Sequence, residues 1–223
     1  MRVLIACEYS GTVRDAFRAA GHEAMSCDLL PTDRPGPHYQ GDVFDIIGND
    51  WDLMIAHPPC THLAVSGAKH FAAKQADGRQ AAALFFVSRL LDAPIPRIAL
   101  ENPVSIISSQ IRKPDQIIQP WMFGHEATKT TCLWLKGLPH LVPTNIVGKG
   151  ARHVTKSGKS LPTWYNLPPS PMRWKIRSAT IQGIADAMAS QWGTLPTPGE
   201  SAVCPPAFSG TGIRGFKIVW RGI

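Results

Sequence analysis

The sequence predicts an α/β fold in which helices cover both faces of a mostly parallel β-sheet. Short apolar segments of strand length alternate with helical patterns through the first half of the chain, and this alternation is typical of parallel sheets. A chain of 223 residues is long enough to bury a real core as one domain, with or without appendages. The 20 prolines and 19 glycines indicate short elements joined by many stiff loops.

The first strand, turn and helix are the clearest elements. Residues 3–6 are an apolar strand, and residues 7–11 form a turn that contains one glycine. A helix begins at Thr12, with Asp15 as its expected capping partner three residues later. Gly21 ends this helix. Its apolar face follows the i, i+3, i+4, i+7 spacing and consists of Val13, Ala16, Phe17 and Ala20.

The later elements continue the alternation of strands and helices. A second strand covers residues 23–27 and ends at Asp28, and residues 42–46 are a weak third element. An apolar strand over residues 52–56 leads to Cys60. The remaining predictions are a helix over residues 75–91 and a strand over residues 97–100, followed by Glu101, Asn102 and Pro103.

The sequence gives no sign of a membrane segment or a disulfide framework. No apolar run approaches the roughly 20 residues that span a bilayer, so we expect no membrane partner. The N-terminal apolar run is short and is broken by Glu8, which favours a strand over a signal peptide. Five scattered cysteines, an odd number, do not indicate paired disulfides. These features favour a reducing, cytoplasmic setting.

The basic excess is concentrated in one segment. Residues 127–185 contain no Asp or Glu but nine of the 23 Lys and Arg residues, so the rest of the chain is nearly neutral. Trp164, Tyr165 and Trp174 are interleaved with these charges. A basic face with aromatic side chains suits a phosphate backbone and stacked bases, which favours nucleic acid as a partner over a solvated surface without function. The candidate DNA-binding residues are Lys149, Arg152, Lys156, Lys159, Arg173 and Lys175.

A cysteine follows two prolines directly after a predicted strand. Pro58 and Pro59 have fixed φ angles and no backbone donors, so they form a stiff corner that presents the Cys60 sulfur beyond the strand end. The carboxyl ends of parallel strands are where ligands bind in open α/β sheets. Cys60 is therefore a candidate nucleophile, although a free cysteine is also commonly a small buried apolar residue.

The order strand, tight turn, helix, strand, acid is that of a nucleoside-binding unit. Asp28 is placed to accept hydrogen bonds from a ribose diol, and Asp42 is placed near an adenine amino group; both could equally be loop acids at strand ends. The turn lacks a Gly-x-Gly-x-x-Gly pattern and contains Glu8, whose charge would repel a pyrophosphate. The pattern favours a nucleoside without phosphates, such as S-adenosylmethionine (AdoMet), over NAD.

These motifs resemble those of DNA cytosine-C5 methyltransferases, and most closely the short versions found in bacteriophages. Residues 6–11 stand where that family has its Phe-Ala-Gly-x-Gly-Gly cofactor turn. Pro59-Cys60 matches the Pro-Cys of the nucleophile motif, and Glu101-Asn102 matches its Glu-Asn-Val. Residues 123–131 resemble the Tyr-Gly-Val-Pro-Gln-x-Arg-x-Arg stretch, and residues 177–192 resemble the closing helix beside the cofactor.

The resemblance implies a Rossmann-like AdoMet-dependent methyltransferase fold. It covers residues 3 to about 193, so the catalytic domain is expected at residues 1–193, with a small loop-rich basic recognition segment at residues 136–175. Residues 194–223 are expected to be a linker and tail. The implied AdoMet-binding residues are Ala6, Cys7, Glu8, Tyr9, Ser10, Gly11, Asp28, Leu29, Asp42 and Pro58.

The chemistry implied by the resemblance is methyl transfer to C5 of cytosine. Addition of the Cys60 thiolate at C6 makes C5 nucleophilic towards the sulfonium methyl group, and Glu101 donates a proton to N3. Lys129 supplies positive charge near the thiolate or the base carbonyl. The implied partner is DNA, with the target cytosine flipped out of a duplex, in a bacterial or phage-infected cell.

Several residues depart from the family pattern. Ala127 replaces the glutamine, and Lys129 and Thr131 replace the two arginines, so one positive charge is lost. Only about forty residues lie between that stretch and the closing helix, where full-length members carry a larger recognition region. The base specificity is therefore short, relaxed or supplied by a protein partner, and a free nucleotide or an unusual nucleic acid is an alternative substrate.

Three other classes of function remain open from the sequence. A zinc site is one, formed by His57, Cys60, His62 and His70, although their spacing matches no paired-ligand pattern. An amino-group methyltransferase would need Asp or Asn before the two prolines and an aromatic residue after them, where this chain has His57 and Cys60. A protein that binds AdoMet or DNA without turnover is the third; the changes at Ala127 and Thr131 favour it, whereas Cys60 and Glu101 oppose it.

Overall fold

A computed structural model describes residues 1–163 and 168–196, and its centre is a seven-stranded sheet. The strands are β1 (Arg2–Ala6), β2 (Glu23–Asp28), β3 (His38–Gln40), β4 (Leu53–Ala56), β5 (Arg97–Pro103), β6 (Gln116–Ile118) and β7 (Thr131–Lys136). Their order is β3-β2-β1-β4-β5-β7-β6. The first five are parallel, and β7 runs antiparallel to both of its neighbours. The predicted mostly parallel α/β sheet is confirmed.

Helices cover both faces of the sheet, as the sequence predicts. They are α1 (Thr12–Ala19), α2 (Phe71–Ala76), α3 (Arg79–Leu91), α4 (Ile107–Gln110), α5 (Arg173–Ser178) and α6 (Gln182–Trp192). Helices α1 and α6 pack together on one face, where Phe17 and Trp192 are fully buried. Helix α3 covers the other face with Val87 and Leu90. The strand order, with helices on both faces, is a Rossmann-like α/β arrangement.

The start of α1 differs from the prediction. Asp15 does not cap the helix, because its carboxylate pairs with Arg14 and Arg34. The cap is Glu8, which is buried and accepts hydrogen bonds from the Val13 and Arg14 amides at 2.7 and 3.2 Å. A carboxylate at this position also interacts favourably with the helix dipole. Ala20, predicted on the apolar face, is exposed.

Both long helices expected from the sequence are interrupted. The helix predicted over residues 75–91 is two helices, α2 and α3, because Gly78 adopts φ 78° at the start of α3. The helix expected over residues 177–192 is also two, because the chain leaves α5 at Ala179 in an extended conformation and enters α6 after Ile181. In each case the break turns a short, separate helix towards the sheet edge.

The weak third element at residues 42–46 is a short 3₁₀ helix over Val43–Asp45, capped by the Asp42 carboxylate. The third strand is instead β3, which the sequence pattern does not predict. Glu101, expected just after a strand, lies within β5. Within the predicted recognition segment, β8 (Arg152–Val154) and β9 (Ser160–Pro162) form an antiparallel hairpin.

Trp164 and Tyr165, and the part of the expected tail beyond Pro196, lie outside the described residues. In the part of the chain that the structure describes, no helix is both long and apolar enough to cross a bilayer.

Candidate active site

A cleft of about 780 Å³ opens at the carboxyl edge of β1, β4 and β5, and we call it the Cys60 cleft. Its wall on the sheet side includes Cys60, Glu101 and His57, and its opposite wall includes Lys129 and Arg177. The size is within the range of sites that bind small molecules. The cleft therefore joins side chains from both halves of the chain.

The strand register brings Cys60 and Glu101 to this edge. Ala56 pairs with Leu100, so His57 and Glu101 follow side by side on neighbouring parallel strands. The buried Asn102 amide donates to the Pro58 carbonyl at 2.9 Å and fixes the proline corner against β5. The Cys60 carbonyl accepts from the Leu63 and Ala64 amides, which closes a tight turn at the nucleophile position. The backbone around Cys60 is thus held at both ends.

The Cys60 thiol has opposing electrostatic influences. Burial raises its pKa above the ordinary value, and the negative charge of Glu101 raises it further. A backbone hydrogen bond and the positive charges of Lys129 and Arg177 lower it, but they do not compensate fully. Cys60 is therefore a protonated thiol at neutral pH in this structure, and it must lose that proton before it can act as a nucleophile.

The Glu101 carboxyl group is on balance acidic. Burial alone would raise its pKa, but the hydrogen bond and the charge of His57 outweigh burial, with smaller contributions from Lys129 and Thr131. The pKa of Glu101 is consequently below its ordinary value. The contact joins His57 Nδ1 to Glu101 Oε2 at 3.4 Å.

Lys129 and Arg177 form the cationic wall of the cleft. The Lys129 ammonium donates to the Arg177 carbonyl at 3.0 Å, which ties the segment before β7 to α5. Helix α5 also contacts the turn after β1 (residues 7–11). The Tyr9 hydroxyl lies 3.1 Å from Ser178 Oγ, and the Tyr9 and Trp174 rings are 5.7 Å apart. The sequence predicts one positive charge near Cys60, that of Lys129, and the structure adds Arg177 from α5.

A second cavity of about 470 Å³, the Asp28 cavity, adjoins the Cys60 cleft. The two share Cys7, Asp28 and Pro59 as lining residues. The wall of the Asp28 cavity is largely apolar and includes the Phe86 ring on α3. Asp28 and Asp42 lie on its rim, where each carboxylate accepts a backbone amide two residues on, at 2.9 and 3.0 Å.

The predicted cofactor residues divide into four groups. Glu8, Tyr9, Ser10 and Pro58 line the Cys60 cleft, Leu29 and Asp42 line the Asp28 cavity, and Cys7 and Asp28 line both. Glu8 reaches the cleft while its carboxylate is engaged at the start of α1. In the described part of the chain, Ala6 and Gly11 are buried and line neither cavity, so their contact with a cofactor stays a prediction.

Five of the six predicted DNA-binding residues lie in two groups beside the cleft. Arg152, Lys156 and Lys159 belong to the β8–β9 hairpin, whose Leu161 and Pro162 line the Cys60 cleft. Arg173 and Lys175 lie on α5. Some of these charges have partners within the protein: Lys175 pairs with Asp33, Arg152 contacts Ser160, and the Lys149 ammonium lies 5.4 Å from the Trp121 ring.

The acid-free segment does not form a single basic face. Lys136 ends β7 opposite Ile98, at the start of β5, and its ammonium donates to the Ala93 carbonyl. It therefore lies at the sheet edge away from the cleft. The sequence could not show at which edge of the sheet Lys136 lies, because that depends on β7 running antiparallel to β5.

Four basic lining residues have no role in the methyl transfer that the sequence predicts. His57 and Arg177 line the Cys60 cleft, and His62 and Arg79 line the Asp28 cavity. His57 and His62 flank the Pro-Pro-Cys motif, which was the available signal. Within residues 1–163 and 168–196, no three His, Cys, Asp or Glu side chains cluster so as to hold a metal ion.

No family model and no curated protein matches the sequence. Among solved structures, the chain is similar to a protein assigned as a DNA modification methyltransferase encoded within an E. coli prophage, with 15% identity, a TM-score of 0.41 and coverage of 66% of this chain and 52% of that one. It is also similar to the Entamoeba histolytica methyltransferase EhMeth, with 14% identity, a TM-score of 0.47 and coverage of 66% and 57%. The chain thus spans little more than half the length of either. At these identities the similarity concerns the fold alone.

Proposed function

We propose that this protein transfers a methyl group from AdoMet to C5 of cytosine in DNA, with Cys60 as the nucleophile and Glu101 as the proton donor to N3. One observation carries the proposal: Cys60 and Glu101 face the same cleft, and that cleft is continuous with a cavity of nucleoside size. The two carboxylates on the rim of that cavity suit ribose and adenine donors rather than phosphates.

The residues around the Asp28 cavity fit AdoMet. The apolar wall with Phe86 suits an adenine ring, and the free oxygens of Asp28 can accept from ribose hydroxyls. Glu8 takes the helix N-terminal amides that would otherwise bind an anion such as a phosphate. When bound, AdoMet supplies an electrophilic methyl group. Cys7 and Pro59 line both cavities and would lie between bound AdoMet and the Cys60 cleft.

The first chemical step balances without an external acid or base. The Cys60 S–H bond breaks and an S–C6 bond forms, while the electrons that leave the C5–C6 double bond make C5 nucleophilic. Cys60 is a thiol and Glu101 a carboxylate at neutral pH. One proton therefore leaves sulfur as one proton reaches N3 through Glu101, and the net charge of the site is unchanged.

The cationic wall assists this step. Lys129 and Arg177 stabilise the thiolate, because both lower the pKa of Cys60 against the effects of burial and Glu101. After methyl transfer the C5 proton passes to solvent, the C6–S bond breaks to release the Cys60 thiolate, and the N3 proton returns through Glu101 to the sulfur as the aromatic ring is restored.

Duplex DNA is the proposed substrate form. The β8–β9 hairpin and α5 stand beside the cleft and carry cationic side chains that can contact phosphates. A cytosine within a duplex would have to flip out to reach Cys60, at a cost of a few kcal/mol. The hairpin is a small recognition element, so we propose relaxed base specificity or a protein partner that supplies it.

A mechanism-based trap tests the proposal. The protein is incubated with AdoMet and DNA that contains 5-fluorocytosine, and the denatured mixture is analysed by intact mass. Fluorine cannot leave C5 as a proton does, so an active enzyme stays attached to the base through sulfur. We expect an adduct for the wild type and none for Cys60→Ser, with the linkage mapped to Cys60 by peptide sequencing.

The rival function is AdoMet or DNA binding without turnover, which the raised pKa of Cys60 favours. The same experiment separates the two, with AdoMet binding measured by calorimetry in parallel. AdoMet binding with no adduct on duplex DNA, single-stranded DNA or nucleotide would contradict the catalytic proposal and support the rival. An adduct on only one of these three substrates would identify the substrate class.

A further inference from the structure

His57 and Glu101 form a pair at the floor of the Cys60 cleft. Nδ1 of His57 lies 3.4 Å from Oε2 of Glu101, and the two side chains are only 11% and 20% exposed. The other ring nitrogen, Nε2, is buried without a hydrogen-bond partner among the described residues. A buried polar atom without a partner is costly, so such an atom calls for an explanation. The contact to Glu101 is thus the hydrogen bond that orients this ring within the described structure.

We propose that His57 and Glu101 act as one coupled acid, which holds a single proton at the floor of the cleft and supplies it to the substrate ring through Glu101. His57 is then a positioning residue that acts through Glu101, and its role in methyl transfer rests on the proposed function. The proposal assigns a purpose to the histidine before the two prolines, which the resemblance does not explain.

The physical need for a second group follows from the charges around Glu101. Lys129 on the segment before β7 and the hydroxyl of Thr131 both favour its ionised form, as does His57. The negative charge of Glu101 in turn raises the pKa of the Cys60 and Cys132 thiols. Arg177 on α5 adds positive charge near Cys60. A carboxyl group whose pKa is lowered in this way does not retain a proton at neutral pH. The proton for N3 therefore has to come from a neighbouring group, and His57 Nδ1 lies 3.4 Å from Oε2.

The proton transfers balance. When Cys60 adds to C6, Oε2 of Glu101 takes the proton from Nδ1–H of protonated His57, Glu101 passes a proton to N3, and the proton that leaves the Cys60 sulfur restores the imidazolium. When the C6–S bond breaks, the sulfur takes a proton back from His57, and N3 returns its proton through Glu101 to His57. No oxidant, reductant or further reactant is needed, and the pair ends each cycle with the proton that it held at the start.

His57→Asn is the sharpest test variant. The asparagine amide nitrogen stands close to the position of Nδ1, so it can still donate to Glu101, but it cannot release a proton at neutral pH. His140→Asn is the matched control, because His140 is exposed in the loop after β7. Circular dichroism and thermal unfolding of all variants establish that they fold.

Kinetics provide the first measurement. We expect kcat of His57→Asn to fall about 10- to 100-fold, with KM for DNA and for AdoMet within about twofold of wild type. The loss of activity with rising pH should begin at least one pH unit lower, because the carboxyl alone releases its proton earlier than the pair does. His140→Asn should match wild type throughout. An unchanged pH profile in His57→Asn would overturn the proposal even if kcat fell.

Nuclear magnetic resonance provides a measurement that does not need turnover. The carboxyl carbon of Glu101 is labelled and assigned by its disappearance in Glu101→Gln. In the wild type we expect two steps in its titration, one at acidic pH and one where His57 loses its proton. In His57→Asn the second step should vanish, and the first should move to higher pH because the imidazolium charge is gone. A single, unshifted step in both proteins would overturn the proposal.

The two measurements also separate this proposal from the proposed function. Two-step titration in a protein that forms no trapped adduct would support the coupled acid and contradict methyl transfer. A trapped adduct together with a single-step titration of Glu101 would support methyl transfer and contradict the coupled acid.

Discussion

Cys7 and Cys60 stand at the ends of neighbouring parallel strands, yet their surroundings differ. Ala6 at the end of β1 pairs with Ala56 at the end of β4, so both cysteines follow at the same edge of the sheet. Both also line the Cys60 cleft. Each is a free thiol within a few residues of a strand end, and they differ in burial and in the neighbouring charges.

Every interaction resolved at Cys7 opposes ionisation. Burial raises its pKa most, and Asp28, Cys27 and Asp42 each raise it further. At Cys60, burial and Glu101 also raise the pKa, but a backbone hydrogen bond, Lys129 and Arg177 lower it. Cys7 is therefore an inert part of a wall between two cavities, whereas Cys60 can become a thiolate.

A position at the end of a strand is therefore not enough to make a cysteine nucleophilic. The cations that act on Cys60 come from residues 129 and 177, far along the chain, and β7 and α5 bring them to the cleft. The acids that act on Cys7 come from β2 and the turn after β3, which also form the rim of the Asp28 cavity. The positions of β7 and α5 thus determine which of the two thiols has cations beside it.

The largest expected effect separates the two cysteines directly. Cys60→Ser should reduce methyl transfer by about 10⁴-fold or more, because the proposed nucleophile is lost. Cys7→Ser should leave kcat within about tenfold and act mainly on KM for AdoMet, because Cys7 lines the passage between the cavities. Radiolabelled methyl transfer to DNA measures both. Equal losses of kcat in the two variants would remove the distinction.

Glu101→Gln should change two properties of Cys60 in opposite directions. Methyl transfer should fall about 10²- to 10⁴-fold, because the proton donor to N3 is lost. Alkylation of Cys60 by iodoacetamide at pH 8 should become faster, because the negative charge of Glu101 raises the pKa of the thiol. Each unit by which that pKa falls gives about tenfold more thiolate at a pH below it.

Peptide mass spectrometry measures this alkylation site by site, and Cys7 serves as the internal reference. Slower alkylation of Cys60 in Glu101→Gln would show that the carboxylate acts as a base towards the thiol instead of repelling its charge.

Lys129→Ala and Arg177→Ala should each slow the alkylation of Cys60 several-fold, since each removes a charge that lowers its pKa. Lys129→Arg should restore most of the rate, because it keeps the charge. Neither alanine variant should alter the alkylation of Cys7, whose pKa depends on Asp28, Cys27 and Asp42. Rates measured between pH 7 and 10 give the thiol pKa in each variant, and unchanged values would mean that these cations act on DNA alone.

The sequence predicted the parts of this arrangement that depend on local pattern. Apolar runs and turn residues identify β1, β2, β4 and β5, because a strand buried on both faces has a nearly continuous apolar sequence. The order of those strands along the chain then brings Cys60 and Glu101 to one edge. Both are consequences of short-range signals and of the preference for parallel pairing in alternating units.

The parts that failed depend on contacts between distant segments or on single backbone conformations. Glu8 can cap α1 because Cys7 adopts φ 59°. A positive φ is uncommon for residues other than glycine, so the sequence does not predict it. Arg177 belongs to the cleft only through α5, a helix of six residues whose separation from α6 has no strong periodic signal. His57 lies beside Glu101 only because β4 and β5 pair in one register.

The smallest expected effect concerns the acids beside Cys7. Asp28→Asn should weaken AdoMet binding about five- to tenfold, because a charged acceptor for the ribose hydroxyls becomes a neutral one. It should also lower the pKa of Cys7, since the charge of Asp28 raises it. Burial contributes most to that pKa, so alkylation of Cys7 should increase only slightly and remain slower than that of Cys60. Calorimetry and site-resolved alkylation check the two effects. Alkylation of Cys7 that overtook Cys60 in Asp28→Asn would show that a single acid, rather than burial, keeps the first thiol inert.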